Sequence, residues 1–275
     1  MTLHRQIFND QTFEQNVTLV NPEGPEFTTD VQSLAASIAQ QVEDYVDASD
    51  AHTYGIACEP GRVFVPCNLP HSVGQMTFDR IYGTTYTSTN DLWLDWLKEH
   101  MVHAEHGILY DLYYPFGPGQ SVAGESSPRH KEGVSGLYNG WSIWLLHALD
   151  KAWAEELYEH YKAYFVVSGE NSPQDDGRTM VIDSSNLTGL AKTAMDTIAT
   201  GFGMVAARQF ADESFYQELE KTWALIFSEP AWSEDGLEYV HTAPLFPLIF
   251  QNGFPLLALS VSEEMNLTVL ANRPW

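Results

Sequence analysis

The sequence predicts an all-α fold, namely an α/α toroid formed as an incomplete (α/α)6-type barrel with short extended loops at one mouth. Segments with helical periodicity follow one another along the 275 residues, whereas strand-like runs are short. An extended, aromatic-rich stretch that leads into an apolar helix and then into a more amphipathic helix also recurs along the chain. Periodicity alone leaves an irregular helical domain without closure as an equal alternative.

The predicted elements follow from local patterns. Apolar side chains share one face over residues 29–48, behind a Thr-Asp start signal. Ser88 or Thr89 is expected to cap a helix that ends near Met101. Further helices are predicted over residues 69–83, 135–149, 151–166, 187–210, 213–227 and 247–262. Short extended segments are predicted over residues 62–66, 108–114, 180–182 and 237–241.

The chain is expected to form a single domain that spans residues 1–275. The Gly-, Ser- and Pro-rich insert at 117–133 and the polar segment at 171–177 are predicted to be loops. Related helical pairs lie on both sides of these segments, so neither has the character of an interdomain linker.

The charge balance excludes several classes of partner. Lys and Arg total 13 against 37 Asp and Glu, which gives a formal charge of −24. Such a chain repels phosphates, so a nucleic-acid or anionic-membrane partner is not expected. No apolar run has the length of a signal peptide or of a membrane span, and two cysteines cannot form a disulfide framework. A soluble, cytoplasmic protein is therefore predicted.

The densest candidate for chemistry is the segment YGIACEPGRVFVPCNLPH at 54–71. Cys58 and Cys67 lie on a stretch predicted to be extended, and Pro60-Gly61 between them can turn the chain and bring the two thiols together. A disulfide, a metal site that lacks two further ligands, and two buried cysteines acting as small apolar residues are the alternatives. The functional interpretation is a thiol pair facing a shared apolar pocket, one thiol donating a proton and the other accepting one.

The run YGIACEPGRVFVPCN, followed by FDRIYGTTY, resembles the linalool dehydratase/isomerase family. The resemblance implies an α/α barrel that assembles as a cyclic oligomer, with an apolar pocket at a subunit interface. It also implies cofactor-free acid/base addition or removal of water at an alkene or allylic alcohol of a terpene. Cys58 and Cys67 match the two active-site cysteines of the family, and Tyr138 in GLYNGW matches a pocket tyrosine. The family's aspartate, tyrosine and histidine lie on helices upstream of the cysteine motif, and this chain is expected to start too late to contain them.

Other side chains complete the predicted site. In the recurring pattern of an extended stretch followed by two helices, a loop near the C-terminus is equivalent to the cysteine loop. Its Glu238, Tyr239 and His241 are candidate replacement acid/base residues. The predicted substrate-binding residues are Glu59, Asn68, His71, Tyr114, Trp141 and Phe246. For these, the structural alternatives are a turn carboxylate beside Arg62, a solvated histidine at a helix start, and aromatic core residues. His100, His103 and His106 are expected to complement a helix end rather than to bind metal, and neither a metal nor a cofactor is predicted.

The favoured function is a cofactor-independent lyase or isomerase that acts on an apolar terpenoid alkene or allylic alcohol. The alternatives are a cyclase or pericyclase that closes a polyene, for which the missing upstream groups would not be needed, and a non-catalytic binding remnant. The expected partners are a hydrophobic small molecule and further copies of the same chain.

Overall fold

The computed structural model describes residues 11–20, 24, 26–44, 55–59, 61–114, 130–169, 178–183, 186–227, 231–232, 239–240, 254 and 257–258. The α-helices of the described part are α1 Val31–Asp44, α2 Val65–Tyr82, α3 Thr87–His100, α4 Gly136–Leu149, α5 Lys151–Phe165, α6 Gly189–Gln209 and α7 Glu213–Phe227. The strands are β1 Val17–Leu19, β2 Phe27–Thr29, β3 Val63–Phe64, β4 Leu112–Tyr114, β5 His130–Glu132, β6 Val166–Val167, β7 Met180–Val181, β8 Ala231–Trp232 and β9 Tyr239–Val240. Each described strand has only two or three residues, which confirms the all-α prediction.

The described residues group into two compact units. The first comprises those of 11–102 and 112–132, and it contains α1, α2 and α3. Strands β1 and β2 pair as an antiparallel ladder, while β3, β4 and β5 form an antiparallel sheet in that order. The core of this unit includes Trp93, Trp96 and Tyr113, all at most 1% exposed. The Trp93 indole N–H donates to the Tyr113 hydroxyl at 3.0 Å.

The second unit comprises the described residues of 103–111 and of 133–258, and it is built from α4, α5, α6 and α7. Helix α4 packs against α5 and α6, and α6 packs against α7. Small residues permit this close packing: a Cβ at Gly140 would lie 2.9 Å from the Tyr161 hydroxyl, and one at Gly203 would lie 2.7 Å from a Val181 methyl group. The small-residue-rich helix predicted over residues 187–210 is α6, which spans Gly189–Gln209.

Helix α2 begins earlier than the sequence predicts. Residues up to Pro66 were expected to be extended, but the helix starts at Val65 and Cys67 lies in its first turn. Pro66 is tolerated in this first turn because the first N–H groups of a helix have no intrahelical partner. The helix ends at Tyr82 and is capped by Gly83, whose φ of 70° suits glycine and whose N–H donates to the Asp79 carbonyl.

The cap of α3 also differs from the prediction. The helix starts at Thr87, and the side chain that accepts its free N–H groups is that of Asp79, from the preceding helix. Asp79 accepts from the Thr87 N–H at 2.6 Å and from the Tyr86 N–H at 3.0 Å. The expected caps, Ser88 and Thr89, lie inside the helix because this distant carboxylate already meets the need of its first turn.

The remaining helix predictions hold where they can be compared. The segments at 135–149, 151–166 and 213–227 agree with α4, α5 and α7 to within one residue at each end. Asp150 separates α4 from α5 and caps the latter by accepting from the Trp153 N–H at 3.1 Å. The predictions for the loop at 171–177, most of the insert at 117–133 and most of the helix at 247–262 lie outside the described residues.

Candidate functional site

The side chain of Asn68 joins the cysteine loop to helix α2. Its Oδ1 accepts from the Ile56 N–H at 2.7 Å, and its Nδ2 donates to the Ile56 carbonyl at 3.0 Å. The same Nδ2 donates to the Phe64 carbonyl at 3.0 Å. Asn68 is 1% exposed, so these bonds are shielded from water. We call this arrangement the asparagine clamp; it sets the position of the backbone two residues before Cys58.

Cys58 follows the clamp at the start of a tight turn. The Arg62 N–H donates to the Glu59 carbonyl at 3.0 Å, these two residues form an antiparallel bridge, and Gly61 has a φ of 72°. This confirms the predicted turn. The turn brings Cys58 back to the start of α2, where the Phe64 N–H donates to its Sγ at 3.4 Å. A backbone N–H directed at sulfur stabilises negative charge on that atom.

Cys67 lies in the first turn of α2, beside Asn68. Partial burial, the neighbouring Cys58 thiol and the Glu59 carboxylate together raise the pKa of Cys67 to about 11. The turn therefore does bring the two thiols into interaction. Both cysteines are free and exposed in the single chain, so the expected apolar chamber is not formed around them by the described residues.

The asparagine clamp occurs a second time, in the other unit. Asn139 Oδ1 accepts from the Leu109 N–H at 2.9 Å, and Asn139 Nδ2 donates to the carbonyls of Leu109 and Ser135, each at 3.0 Å. Asn68 and Asn139 are each the fourth residue of their helix, and Phe64 and Ser135 are the respective N-cap residues. The pattern of an extended stretch and following helices that recurs along the sequence therefore corresponds to a repeated set of hydrogen bonds.

The repeat identifies counterparts of both cysteines. Cys58 lies two residues after the clamped Ile56, and Asp111 lies two residues after the clamped Leu109. In each repeat the N–H of the N-cap residue donates to this side chain, to Cys58 Sγ in one and to Asp111 Oδ1 at 3.1 Å in the other. Cys67 precedes one clamp asparagine, and Tyr138 precedes the other.

A related contact involves strand β7. The Thr200 hydroxyl, on α6, accepts from the Val181 N–H at 3.1 Å and donates to the Val181 carbonyl at 3.3 Å. Two residues after Val181 lies Asp183, which is 4% exposed and has a buried Oδ1 without a hydrogen-bond partner. A thiol and two carboxyls thus each lie two residues after a backbone position that a helix side chain binds through both its N–H and its carbonyl.

Asp111 has an unusual electrostatic environment. It is 5% exposed, and burial raises its pKa to about 7, with a further contribution from the nearby Asp183. The hydrogen bonds from Ser135 oppose this change in pKa without cancelling it. A carboxyl that holds its proton near neutral pH can act as an acid or as a base.

Two predicted binding residues surround the cysteine turn. Glu59 forms an exposed ion pair with Arg62 at 3.5 Å, as in the structural alternative, and the Arg62 guanidinium lies 5.5 Å from the centroid of the Tyr114 ring. The Tyr114 hydroxyl donates to Glu132 at 3.1 Å. These side chains form a polar rim beside the thiols, and their part in binding stays a prediction.

The other predicted site residues are placed elsewhere or are not described. Tyr138 and Trp141 are half-buried on α4 in the second unit, where Trp141 stacks on Phe202 with ring centroids 5.5 Å apart. Glu238, His241 and Phe246 lie outside the described residues. Tyr239 belongs to β9, of which only the backbone is described.

Of the three clustered histidines, only His100 lies in the last turn of a helix, α3. His103 and His106 follow the helix end and stack on each other, with ring centroids 4.7 Å apart. The expectation that all three complement a helix end is therefore wrong for these two, because α3 stops one to two turns earlier. Among the described residues, no three His, Cys, Asp or Glu side chains form a candidate metal site.

Several buried polar side chains were not predicted from the sequence, among them Gln75, Asn90 and Asp111. Asp111 interrupts an apolar run and Gln75 lies between Val73-Gly74 and Met76, which was the available signal, whereas Asn90 lies in the polar run TSTND and gives none. Gln75 also follows Cys67 and His71 at intervals of four residues, which is the spacing of one helix face.

None of the described helices is both long enough and apolar enough to span a membrane. The protein is similar in structure to an unsaturated glucuronyl hydrolase specific for heparin, with a TM-score of 0.54 and 13% identity over 86% of this chain and 69% of that one. It also matches a family 76 glycoside hydrolase from a bovine Bacteroides thetaiotaomicron strain, with a TM-score of 0.49 and 16% identity over 84% of this chain. The chain spans about half of that hydrolase, 51% of its length. The first similarity confirms the predicted α/α toroid fold class and, at this identity, shows the fold alone.

The family comparison concerns the sequence itself. A family model described as linalool dehydratase/isomerase matches residues 1–244 of the 275. The match includes the cysteine turn and both asparagine clamps. The chain therefore belongs to the linalool dehydratase/isomerase family.

Proposed function

We propose that this chain is a cofactor-independent lyase or isomerase that removes water from, adds water to, or isomerises an apolar terpenoid allylic alcohol or alkene. The observation that carries the proposal is the interaction of two free thiols, Cys58 and Cys67, in unlike surroundings at the end of an asparagine clamp. Membership of the linalool dehydratase/isomerase family supports both the reaction class and an apolar substrate.

The surroundings of the two thiols assign their roles. The pKa of Cys67 is raised to about 11, so this thiol holds its proton at neutral pH and is the acid. Cys58 receives the Phe64 N–H at its sulfur, which stabilises negative charge there, so Cys58 is the proton acceptor. The two thiols differ in their surroundings: partial burial, Cys58 and Glu59 act on Cys67, whereas a backbone N–H faces the sulfur of Cys58.

In the dehydration direction, the Cys67 thiol protonates the departing hydroxyl group, the C–O bond breaks, and water leaves. The Cys58 sulfur takes a proton from a neighbouring carbon, and the electrons of that C–H bond form the new double bond. Transfer of this proton from Cys58 to Cys67 returns Cys58 to the thiolate and Cys67 to the thiol with which the cycle began. The products are one alkene and one water for each alcohol, with no change of oxidation state.

Other residues have proposed supporting roles. Tyr138, the counterpart of Cys67 in the repeat, is proposed as an additional proton donor or acceptor, as are Glu238, Tyr239 and His241. Glu59, Asn68, His71, Tyr114, Trp141 and Phe246 are proposed to contact the substrate or its immediate surroundings.

The exposure of the thiols bears on how such a site would work. An apolar alcohol gains little by binding beside two exposed cysteines in water, because the hydrophobic contribution depends on removing apolar surface from solvent. We propose that a second copy of the chain covers the cysteine turn. This is the arrangement that the family resemblance implies.

The test is turnover of linalool by the purified protein and by the variants Cys58→Ala and Cys67→Ala. Both variants are expected to lose at least about a hundredfold in rate, the usual contribution of a positioned acid or base. Because both cysteines are exposed, the thermal unfolding midpoints should change little, and circular dichroism checks that the fold is retained.

Mass spectrometry of the products separates the alternatives. Dehydration lowers the substrate mass by one water, whereas isomerisation or cyclisation conserves it. Full activity in either cysteine variant would reject the assigned roles. Ligand binding without turnover, unaffected by loss of the thiols, would indicate a non-catalytic binding protein.

A further inference from the structure

A stripe of polar side chains runs along helix α2 from Cys67 to His71 and Gln75. Successive members are four residues apart, so they are neighbours on one face of the helix. Exposure falls along this polar stripe: Cys67 is exposed, His71 is half-buried, and Gln75 is 2% exposed. The stripe therefore leads inward from the thiol that we propose as the acid.

The hydrogen bonds of Asn68 determine the tautomer of His71. Asn68 Oδ1 must be the oxygen, because it accepts from the Ile56 N–H while Nδ2 donates to two carbonyls. His71 Nε2 lies 3.0 Å from this oxygen, so Nε2 must carry the hydrogen. Nδ1 of the neutral ring is then a bare acceptor, and it is buried without a hydrogen-bond partner.

The next residue of the stripe has unmet hydrogen-bonding capacity of both kinds. Neither Nε2 nor Oε1 of the buried Gln75 amide has a hydrogen-bond partner. Across from α2, Asn90 on α3 is 1% exposed; its Nδ2 donates to the Ser72 carbonyl at 3.3 Å, and its Oδ1 is unpartnered. Burying such groups unpaired costs free energy, so a group that pairs with them gains affinity.

A second histidine–glutamine pair in the chain shows what a closed arrangement is like. His147 Nδ1 lies 2.8 Å from Gln209 Nε2, so the glutamine itself satisfies the ring nitrogen. Gln75 is one helical turn away and near enough to His71 to raise its pKa slightly against the effect of burial, but neither of its amide atoms forms a hydrogen bond with Nδ1. The pair on α2 is therefore open to a third group.

We infer that His71 Nδ1 and the Gln75 amide form a subsite for a neutral hydroxyl group, that of the alcohol substrate or of the water added to the alkene. One O–H meets both needs: its hydrogen is donated to His71 Nδ1, and its oxygen accepts from Gln75 Nε2–H. Burial lowers the pKa of His71 to about 4, so the ring stays neutral and does not compete with Cys67 as an acid. The assignment of the hydroxyl to a substrate rests on the function proposed above, whereas hydroxyl binding itself does not.

The direct test is nitrogen NMR of protein labelled with nitrogen-15 histidine, with the His71 resonances assigned from the His71→Gln variant. The probes are the fully saturated analogue of linalool, whose carbinol lacks allylic activation, and the saturated hydrocarbon of the same skeleton. The alcohol is expected to move the His71 Nδ1 resonance towards the protonated range, and the hydrocarbon is not. His147, whose Nδ1 already has a partner, is the internal control and should not respond.

A matched pair of variants supplies a kinetic and a thermal readout. Gln75→Leu removes unpaired groups only, so its unfolding midpoint should be unchanged or higher, while KM for the alcohol rises about tenfold and kcat is retained. Gln209→Leu removes a formed hydrogen bond, so its midpoint should fall while KM is unchanged. Equal loss of stability in both variants with unchanged KM would show that the Gln75 amide is structural.

Either of two results overturns the inference. One is a His71 ring that carries its hydrogen on Nδ1, and the other is a His71 Nδ1 resonance that the alcohol does not move in wild-type protein that turns over linalool. A different outcome separates the two proposals. If the alcohol moves the His71 resonance in a protein without any turnover, the subsite stands and the proposed reaction does not.

Discussion

The side chain of Asn68 pairs with both backbone polar groups of Ile56, accepting its N–H at 2.7 Å and donating to its carbonyl at 3.0 Å. Ile56 is two residues before one cysteine, and Asn68 directly follows the other. The relative position of the two thiols therefore depends on one buried amide.

The variant Asn68→Ala tests this dependence. It leaves buried backbone groups unpaired and should lower the free energy of unfolding by about 2–3 kcal/mol. It should also lower kcat/KM by about a hundredfold, because displaced reacting groups lose their alignment. Thermal unfolding and product formation from linalool measure the two effects.

The matched control for that variant is Asn139→Ala, which removes the same clamp from the other repeat. Its loss of stability should be similar. The rate at which iodoacetamide alkylates Cys67, which is the subject of the next prediction, should be the same as in the wild type. If Asn68→Ala left the rate intact, the clamp would not be what positions the thiols.

Cys67 should be slow to alkylate. Because its pKa is raised to about 11, little thiolate is present near pH 8, and the thiolate is the reactive form. The rate of modification by iodoacetamide, followed by mass spectrometry of the peptide that contains Cys67, should keep rising up to about pH 11. The same measurement in Cys58→Ala should move this rise to lower pH, because Cys58 contributes to the elevated pKa. A rate that levels off near pH 9 would contradict the role of Cys67 as the acid.

Asp111 should make stability depend on pH. Its folded pKa of about 7 lies above the ordinary value of 3.8, so the folded state binds more protons between these values. The contribution of Asp111 to the unfolding free energy should therefore be highest below about pH 4 and fall by up to about 4 kcal/mol as the pH rises through 7. Urea unfolding across this range measures the slope.

Asp111→Asn should remove that slope, since the amide oxygen can still accept from the Ser135 N–H and no proton is released. Above pH 7 the variant should be more stable than the wild type. An unchanged slope would show that Asp111 is not the group responsible.

The oligomeric state provides a further test. If a second copy covers the cysteine turn, light scattering should show more than one chain per particle. Dilution to the monomer should then lower turnover and speed alkylation of Cys58. A monomer with full activity would contradict the proposed covering.

Periodicity was sufficient to predict most helices of the described part. The segment at 213–227 is helix α7 to the residue, and the break at Asp150 is a helix cap. Apolar spacing reports which face of a helix is buried, and this is a local property that survives in the folded chain. Hydrogen bonds between residues that are separated in the sequence leave no such pattern. The cap of α3 is an example: Ser88 and Thr89 have the residue types of a cap, but the side chain that accepts the Thr87 N–H is that of Asp79.

The candidate site was predicted in part. The two thiols and the turn between them follow from the segment at 54–71, but the repeat behind them does not. The clamp partners are 12 residues apart in one repeat and 30 in the other, because the insert at 117–133 lies between Leu109 and Asn139. With such unequal spacing, the correspondence of Cys58 with Asp111 becomes visible only from the hydrogen bonds.

The repeated clamp has a consequence for how this scaffold can change its chemistry. The clamp amide binds the backbone of the residue two positions before the reactive side chain, and the reactive side chain makes none of these bonds; it accepts a separate hydrogen bond from the N–H of the N-cap residue. One copy holds a thiol there and the other a carboxyl, at equivalent points of the same framework. A single codon change can thus exchange sulfur for oxygen acid–base chemistry at either point, with every bond of the anchor left in place.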